Sequence, residues 1–312
     1  MSEETFEEVF HVGVPANLDL NNIRGSVKVS PQGSEVGARA IIVKAVKDLD
    51  SGDGDLTEIE MTQTDDGRVV IKTRFSGLEL PGLQKLKHLP CRVHYTVQVP
   101  ENCQVRVETI SSSIELDNLR GEFEIGSVSG DLELRELGGD LKARSVSGQI
   151  RVEALDGRAN CENVSGKIHL HQSQIPALKA KTVSGEIIVQ ATGQSETYNF
   201  HSISGDLILI LNEDQGVSIQ MQSLSGKLHI HHPEGVSSQR APRDLSVQGG
   251  GPKAQFETIS GDLHLTTPEL LKTETVEAGD SSPNQHDVLA SVARGELTAE
   301  EGLQALKDSN SE

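Results

Sequence analysis

The chain has 312 residues, with 28 Lys+Arg against 47 Asp+Glu and a formal net charge of −19. So acidic a surface repels phosphate, which sets nucleic acid and anionic membranes aside as partners. Aromatic residues make up 3% and Trp is absent, leaving little for sugar binding or base stacking.

The cysteines are Cys91, Cys103 and Cys161. An odd count without a pairing pattern argues against a disulfide framework. The N-terminal stretch MSEETFEEVF is acidic where a secretory signal is basic. No apolar run reaches the roughly 18 residues of a spanning helix. Together these features predict a cytoplasmic, reduced protein with no membrane insertion.

In chain order, residues 1–104 are strand-rich, with GSVKVS (25–30), RAIIVKAV (39–46), DGRVVIKTRF (66–75) and CRVHYTVQVP (91–100). They are expected to form an N-terminal cap that closes one end of a repeat domain. NNIRGSVKV (21–29) looks like an irregular copy of the later repeat, and GLELPGLQKLKHLP (77–90) reads as a loop.

From 105 to 271 a short phrase recurs: SVSGDLEL (127–134), SVSGQIRV (145–152), NVSGKIHL (163–170). Its Gly falls at 130, 148, 166, 185, 205, 226 and 261, in steps of 18, 18, 18, 19, 20, 21 and 35, counting from Ser112 in the earlier copy TISSSIEL (109–116). Apolar residues stand seven and five before each Gly (Phe123 and Ile125, Leu141 and Ala143) and two and four after it (Leu132 and Leu134, Ile150 and Val152). That alternation has the strand period. A further apolar column lies two before the Gly: Val128, Val146, Val164, Val183, Ile203, Leu224 and Ile259. The period breaks there, and Ser-Gly supplies a bend through the backbone freedom of Gly.

A unit so short cannot bury its apolar side alone, but stacked copies can, at about 4.8 Å per level. The pattern therefore predicts an all-β fold, a parallel β-solenoid of about 18–20 residues per rung. Asn-Gly and Asp-Gly are not spaced regularly between strands, which argues against an antiparallel sandwich or propeller. The long last step holds an insertion, 231–253, rich in Gly, Pro and Ser, expected to be an exposed loop. The recurring Ser at −1 and Ser, Thr or Asn at −3 read as stacked structural hydroxyls, because no His or acid keeps step with them.

After the repeats, 272–285 is polar and breaker-rich, a linker. Residues 286–308 predict a small helical hairpin. Gly295 ends the first helix, Thr298 with Glu301 forms a capping box, and Val288, Leu289, Val292, Leu303 and Leu306 form apolar stripes.

The repeated S-[VIL]-S-G-x-[IL]-x-[VLI] phrase, preceded by VHYTVQVP (93–100), resembles the bacterial putative-adhesin family of unknown function. The resemblance covers roughly residues 10–266. It implies a single-stranded parallel β-helix, usually right-handed. The tail VLASVARGELTAEEGLQAL (288–306) is similar to a short helical module often joined to such proteins. Family members are implicated in cell-envelope stress responses, and the resemblance supplies no catalytic residue to carry over.

No catalytic, cofactor or metal residue is assigned. Glu186 and Asp206 place acids on neighbouring rungs, which reads as exposed mixed charge rather than an acid/base pair. His229, His231 and His264 share an outward face and are of a metal-binding type. The insertion separates them in the chain, no carboxylate is seen at metal spacing, and whether they bind metal stays open. Cys161 occupies a core column. Ile188, Ile208 and Ile210 take outward positions where other rungs carry polar residues, a candidate interaction patch. The expected function is a non-catalytic scaffold or protein-binding module, acting on a protein partner or by self-association. A bactofilin-like polymer is the alternative, and a polysaccharide-binding or polysaccharide-cleaving protein comes third.

Overall fold

Strict alternation of buried and exposed residues runs through strand after strand, because side chains i and i+2 share a face. The structure is a computed structural model. It describes residues 2–33, 39–79, 88–191, 197–211, 216–232, 235–240, 243–247 and 252–268. The chain divides into two units, 1–267 and 268–312. The predicted linker and helical hairpin lie outside the described residues.

In the first unit the repeats stack as parallel rungs. Arg120–Ser127 pairs with Gly138–Ser145, which pairs with Ala159–Asn163. Leu132–Arg135 pairs with Ile150–Glu153, which pairs with Ile168–Ser173. Register partners are equivalent repeat positions, such as Phe123, Leu141 and Ala159, then Leu178 and Tyr198. The four predicted apolar columns point inward and are buried, except that Ile230 near the end is only partly so. A further column, Leu119, Leu137, Leu155 and Ile175, closes the third side.

The parallel stack extends into the segment read as a cap. Ala16–Pro31 lies in register along Cys103–Asp117, from Ala16 opposite Cys103 to Val29 opposite Leu116. On its other side it pairs in parallel with Val69–Phe75 and Arg92–Val99. Beyond these the pairing turns antiparallel, with Thr57–Gln63 on Val69–Phe75 and Ala40–Asp48 on Arg92–Val99. Glu3–His11 is added outside Ala40–Asp48.

At the other end, chain order and spatial order part. The rung 253–266 stacks on 197–210, and the earlier rung 217–230 stacks on the outside of 253–266. The insertion expected to be a loop instead holds two strands, Gly235–Arg240 and Arg243–Val247. They run antiparallel along the terminal rung. Its Gly, Pro and Ser content hid them, but the terminal rung offers a row of backbone donors and acceptors that need partners.

The Ser-Gly corner also differs from expectation. Each −3 side chain points inward and accepts the N–H of its own Gly: Gly148 N to Ser145 Oγ at 2.9 Å, Gly185 N to Thr182 Oγ1 at 2.9 Å. Hydrogen bonds along the stack come mostly from the −1 serines, with some from −3 side chains, such as Thr109 Oγ1 to Ser127 Oγ at 3.0 Å and Asn163 Nδ2 to the Gly148 carbonyl at 2.8 Å. Ser147 donates its N–H (3.0 Å) and its Oγ–H (3.2 Å) to the Val128 carbonyl one rung away. The Gly is required by space rather than by unusual angles. A Cβ on Gly148 would overlap the carbonyl oxygen of Gly130. Left-handed backbone occurs instead at the second corner, where Asn118, Glu136, Ala154 and Gln172 repeat φ near +50°.

Candidate functional site

The parity of the strands decides what faces outward. Positions −7, −5 and −3 point in, so −2 falls on the outer edge of the corner. The apolar column two before each Gly is therefore exposed. Ile110, Val128, Val146, Val164, Val183, Ile203, Ile259 and Leu224, in stacking order, are 40–87% exposed. Backbone bonds tie each to the next: Ser129 N to the Ile110 carbonyl, Ser147 N to Val128, Ser165 N to Val146, Ser204 N to Val183. The result is a continuous apolar ridge on a rigid corner. The signal was in the sequence, since counting by twos from −7 skips −2.

Beside the ridge runs a groove of about 800 Å³, bounded by Val128, Val146, Val164, Val183 and Ile203. Its charged rim holds Arg144, Lys179 and Lys181 against Glu108 and Glu162, nearly balanced despite the charge of the whole chain. Arg144 pairs with Glu162 at 3.4 Å. Among the described residues, Lys179 and Lys181 pair with no carboxylate. A second groove, of about 660 Å³, lies over the outward faces of neighbouring strands. Its charges pair with each other: Lys142 with Glu124 at 2.7 Å, and Arg158 with Asp140. Those partners hold the Glu124 and Asp140 carboxyls below their usual range, through the hydrogen bonds from Lys142 and Arg158 first. Such carboxylates stay ionised and are poor proton donors.

The acids on neighbouring rungs are engaged too. Glu186 pairs with Lys167 at 2.8 Å, and Asp206 accepts the Asp262 N–H at 2.8 Å. Ile188 and Ile208 are register partners and half-buried. Ile210 does not share an exposed patch with them, being only 4% exposed. The strand ends there, and consecutive burial of Leu209 and Ile210 breaks the alternation. Cys161 is core, as expected, and all three cysteines are buried and unpaired.

The histidines come together. His229 and His264 are register partners with rings stacked 4.7 Å apart. His231 Nε2 lies 3.1 Å from His264 Nδ1. Asp262, whose carboxylate the spacing of the histidines does not reveal, reaches His229 Nε2 at 3.2 Å. In the sequence 33 residues separate it from His229, while the returning rung makes them neighbours. Burial, then His229 and His231, push the His264 imidazole below its ordinary value.

Stacked parallel rungs with a repeated Ser-Gly corner define a β-solenoid. Residues 157–266 match the family model described as Toastrack DUF4097, in agreement with the resemblance drawn from the repeat. No curated protein matches the chain. Among solved structures, it is similar to a putative lipid binding protein from Parabacteroides distasonis at 14% identity, over 84% of this chain and 96% of that one, with a TM-score of 0.40. A putative adhesin from Parabacteroides merdae is 10% identical over 85% and 96%, with a TM-score of 0.34. A putative cell adhesion protein from Clostridium sporogenes is 12% identical over 85% and 100%, with a TM-score of 0.28. Among the described residues, no helix is long and apolar enough to cross a membrane.

Proposed function

We propose that the chain is a non-catalytic β-solenoid scaffold that works through protein–protein contact. The contact surface is the corner ridge, and its occupant is a second copy of the chain. The observation that carries this reading is the unbroken exposed apolar column from Ile110 to Leu224. Withdrawing apolar surface from water contributes about 25 cal/mol per Å².

The ridge repeats once per rung, about 4.8 Å. A second copy repeats its own ridge at the same interval and can interlock at every level. An extended peptide presents same-side residues every ~6.6 Å and falls out of step. Eight levels span about 34 Å, and a strip about 20 Å wide then covers roughly 700 Å² per copy, near the ~800 Å² of a standard interface. The nearly balanced rim charges favour the same pairing.

The carboxylates engaged by cations support the non-catalytic reading. The polymer alternative is disfavoured by the antiparallel strands along both ends of the stack. A role in cell-envelope stress responses rests on the family resemblance alone. The location we propose is the cytoplasm, supported by three unpaired thiols.

Light scattering on a sizing column tests this reading. The full chain should run as a dimer, and Val164→Glu with Val183→Glu should give a monomer of unchanged Tm. A wild type that stays monomeric at every concentration would sink the self-association reading, and a separate protein partner would then be the occupant to seek.

A further inference from the structure

The rungs 217–230 and 253–266 meet where chain order and spatial order part, and their outward faces carry an unusual set of groups. One ligand-capable atom each from His229, Asp262 and His264 lies within 4.8 Å of the other two. His231 Nε2 is 3.1 Å from His264 Nδ1, and Asp262 Oδ2 is 3.2 Å from His229 Nε2. Ligand atoms around tetrahedral zinc, at 2.0–2.1 Å from the ion, are about 3.3 Å apart. Within the group of three, the Asp262–His229 contact already has that separation, and a spacing of 4.8 Å closes with a shift of about 1.5 Å shared between two side chains. All three side chains are half-buried. The register partner of His264 on the next rung is Ile208, itself half-buried, so one side of the cluster is apolar.

We propose that His229, Asp262 and His264, with His231 beside them, bind a divalent transition-metal ion, zinc in the first instance. Two imidazoles and one carboxylate, with a third imidazole next to His264, suit zinc, and also nickel and copper, better than calcium or magnesium. The ion joins two rungs contributed by segments 33 residues apart. It fastens the terminal rung to the one inserted beneath it.

The experiment titrates zinc chloride into the full-length protein by calorimetry and follows Tm with and without zinc. The expected result is one site tighter than about 1 µM and a Tm raised by zinc. His264→Asn should weaken binding by more than the ~10–100-fold that loss of an outer-shell partner costs, and should abolish the zinc-dependent rise. Asp262→Asn should do the same in lesser degree. Circular dichroism of each metal-free variant establishes that it folds. A double His169→Gln, His171→Gln variant, altering another pair of histidines on the same face, should bind as wild type does. Binding no tighter than micromolar overturns the proposal. So does a tight site that survives both His264→Asn and Asp262→Asn.

Discussion

At the residue scale the corner is a chemical unit of three positions. The −3 oxygen accepts the Gly N–H, the −1 serine bonds the next rung, and the Gly admits its neighbour's carbonyl. Ser145→Ala leaves the buried Gly148 N–H without an acceptor and should cost about 1–3 kcal/mol. Gly148→Ala meets backbone rather than a flexible side chain and should cost on the order of 3 kcal/mol. Urea unfolding of both variants measures the two losses, and a Gly148→Ala variant as stable as wild type would refute the steric role of the Gly. Burial pushes the Cys103 and Cys161 thiols up to about 12. Both should resist a thiol reagent until the protein unfolds. Burial also lowers His264 from near 6.5, followed by the charges of His229 and His231, while Asp206 and Asp262 act in the opposite sense. The unfolded chain then binds more protons, so stability is lost as pH falls below about 6.5 and is unaffected by this group above it. His169 acts in the same direction, through burial and then His171. A Tm at about pH 5.5 below that at about pH 7.5, with the gap narrowed in His264→Gln, is the expected outcome.

At the scale of elements, the inward columns were legible because burial imposes period two on every strand, as at Phe123 and Ile125 or Leu132 and Leu134. The corner was legible in place but not in orientation. The inward seat at −3 is taken by a polar side chain, which leaves the apolar residue beside it on the outer edge. The strands of 235–247 were not legible, because antiparallel pairing along an edge needs backbone groups more than any side-chain pattern. The outermost described strand, Glu3–His11, carries Glu3, Glu4, Glu7 and Glu8. Lys47 pairs with Glu4 at 2.6 Å and Lys44 with Glu7 at 3.1 Å. Acidic side chains on an edge discourage further strand addition. Replacing all four glutamates by Thr should yield concentration-dependent higher oligomers in light scattering. An unchanged mass would show that charge does not guard this end.

At the scale of the molecule, the ridge and the charge oppose each other. Two copies at −19 repel, while the apolar column favours contact. Salt screens the first within about 10 Å at 0.1 M and leaves the second intact. Dimerisation should therefore strengthen between roughly 0.05 and 0.5 M salt, and a dimer that dissociates with salt would point to ion pairs instead. The His229, Asp262 and His264 cluster could be read only in part from the sequence, because it depends on which rung lies beside which. That order has a consequence for how the chain is made. As synthesis proceeds, 217–230 emerges before the rung it must rest on, and it carries the same corner and the same inward columns as 253–266. Its nearest available partner at that moment is 197–210, the site reserved for the later segment. A nascent chain thus faces a choice between waiting with an open edge and pairing one level too low. The final turn of the solenoid can close only after residue 266 has left the ribosome, so until then this end keeps an open edge.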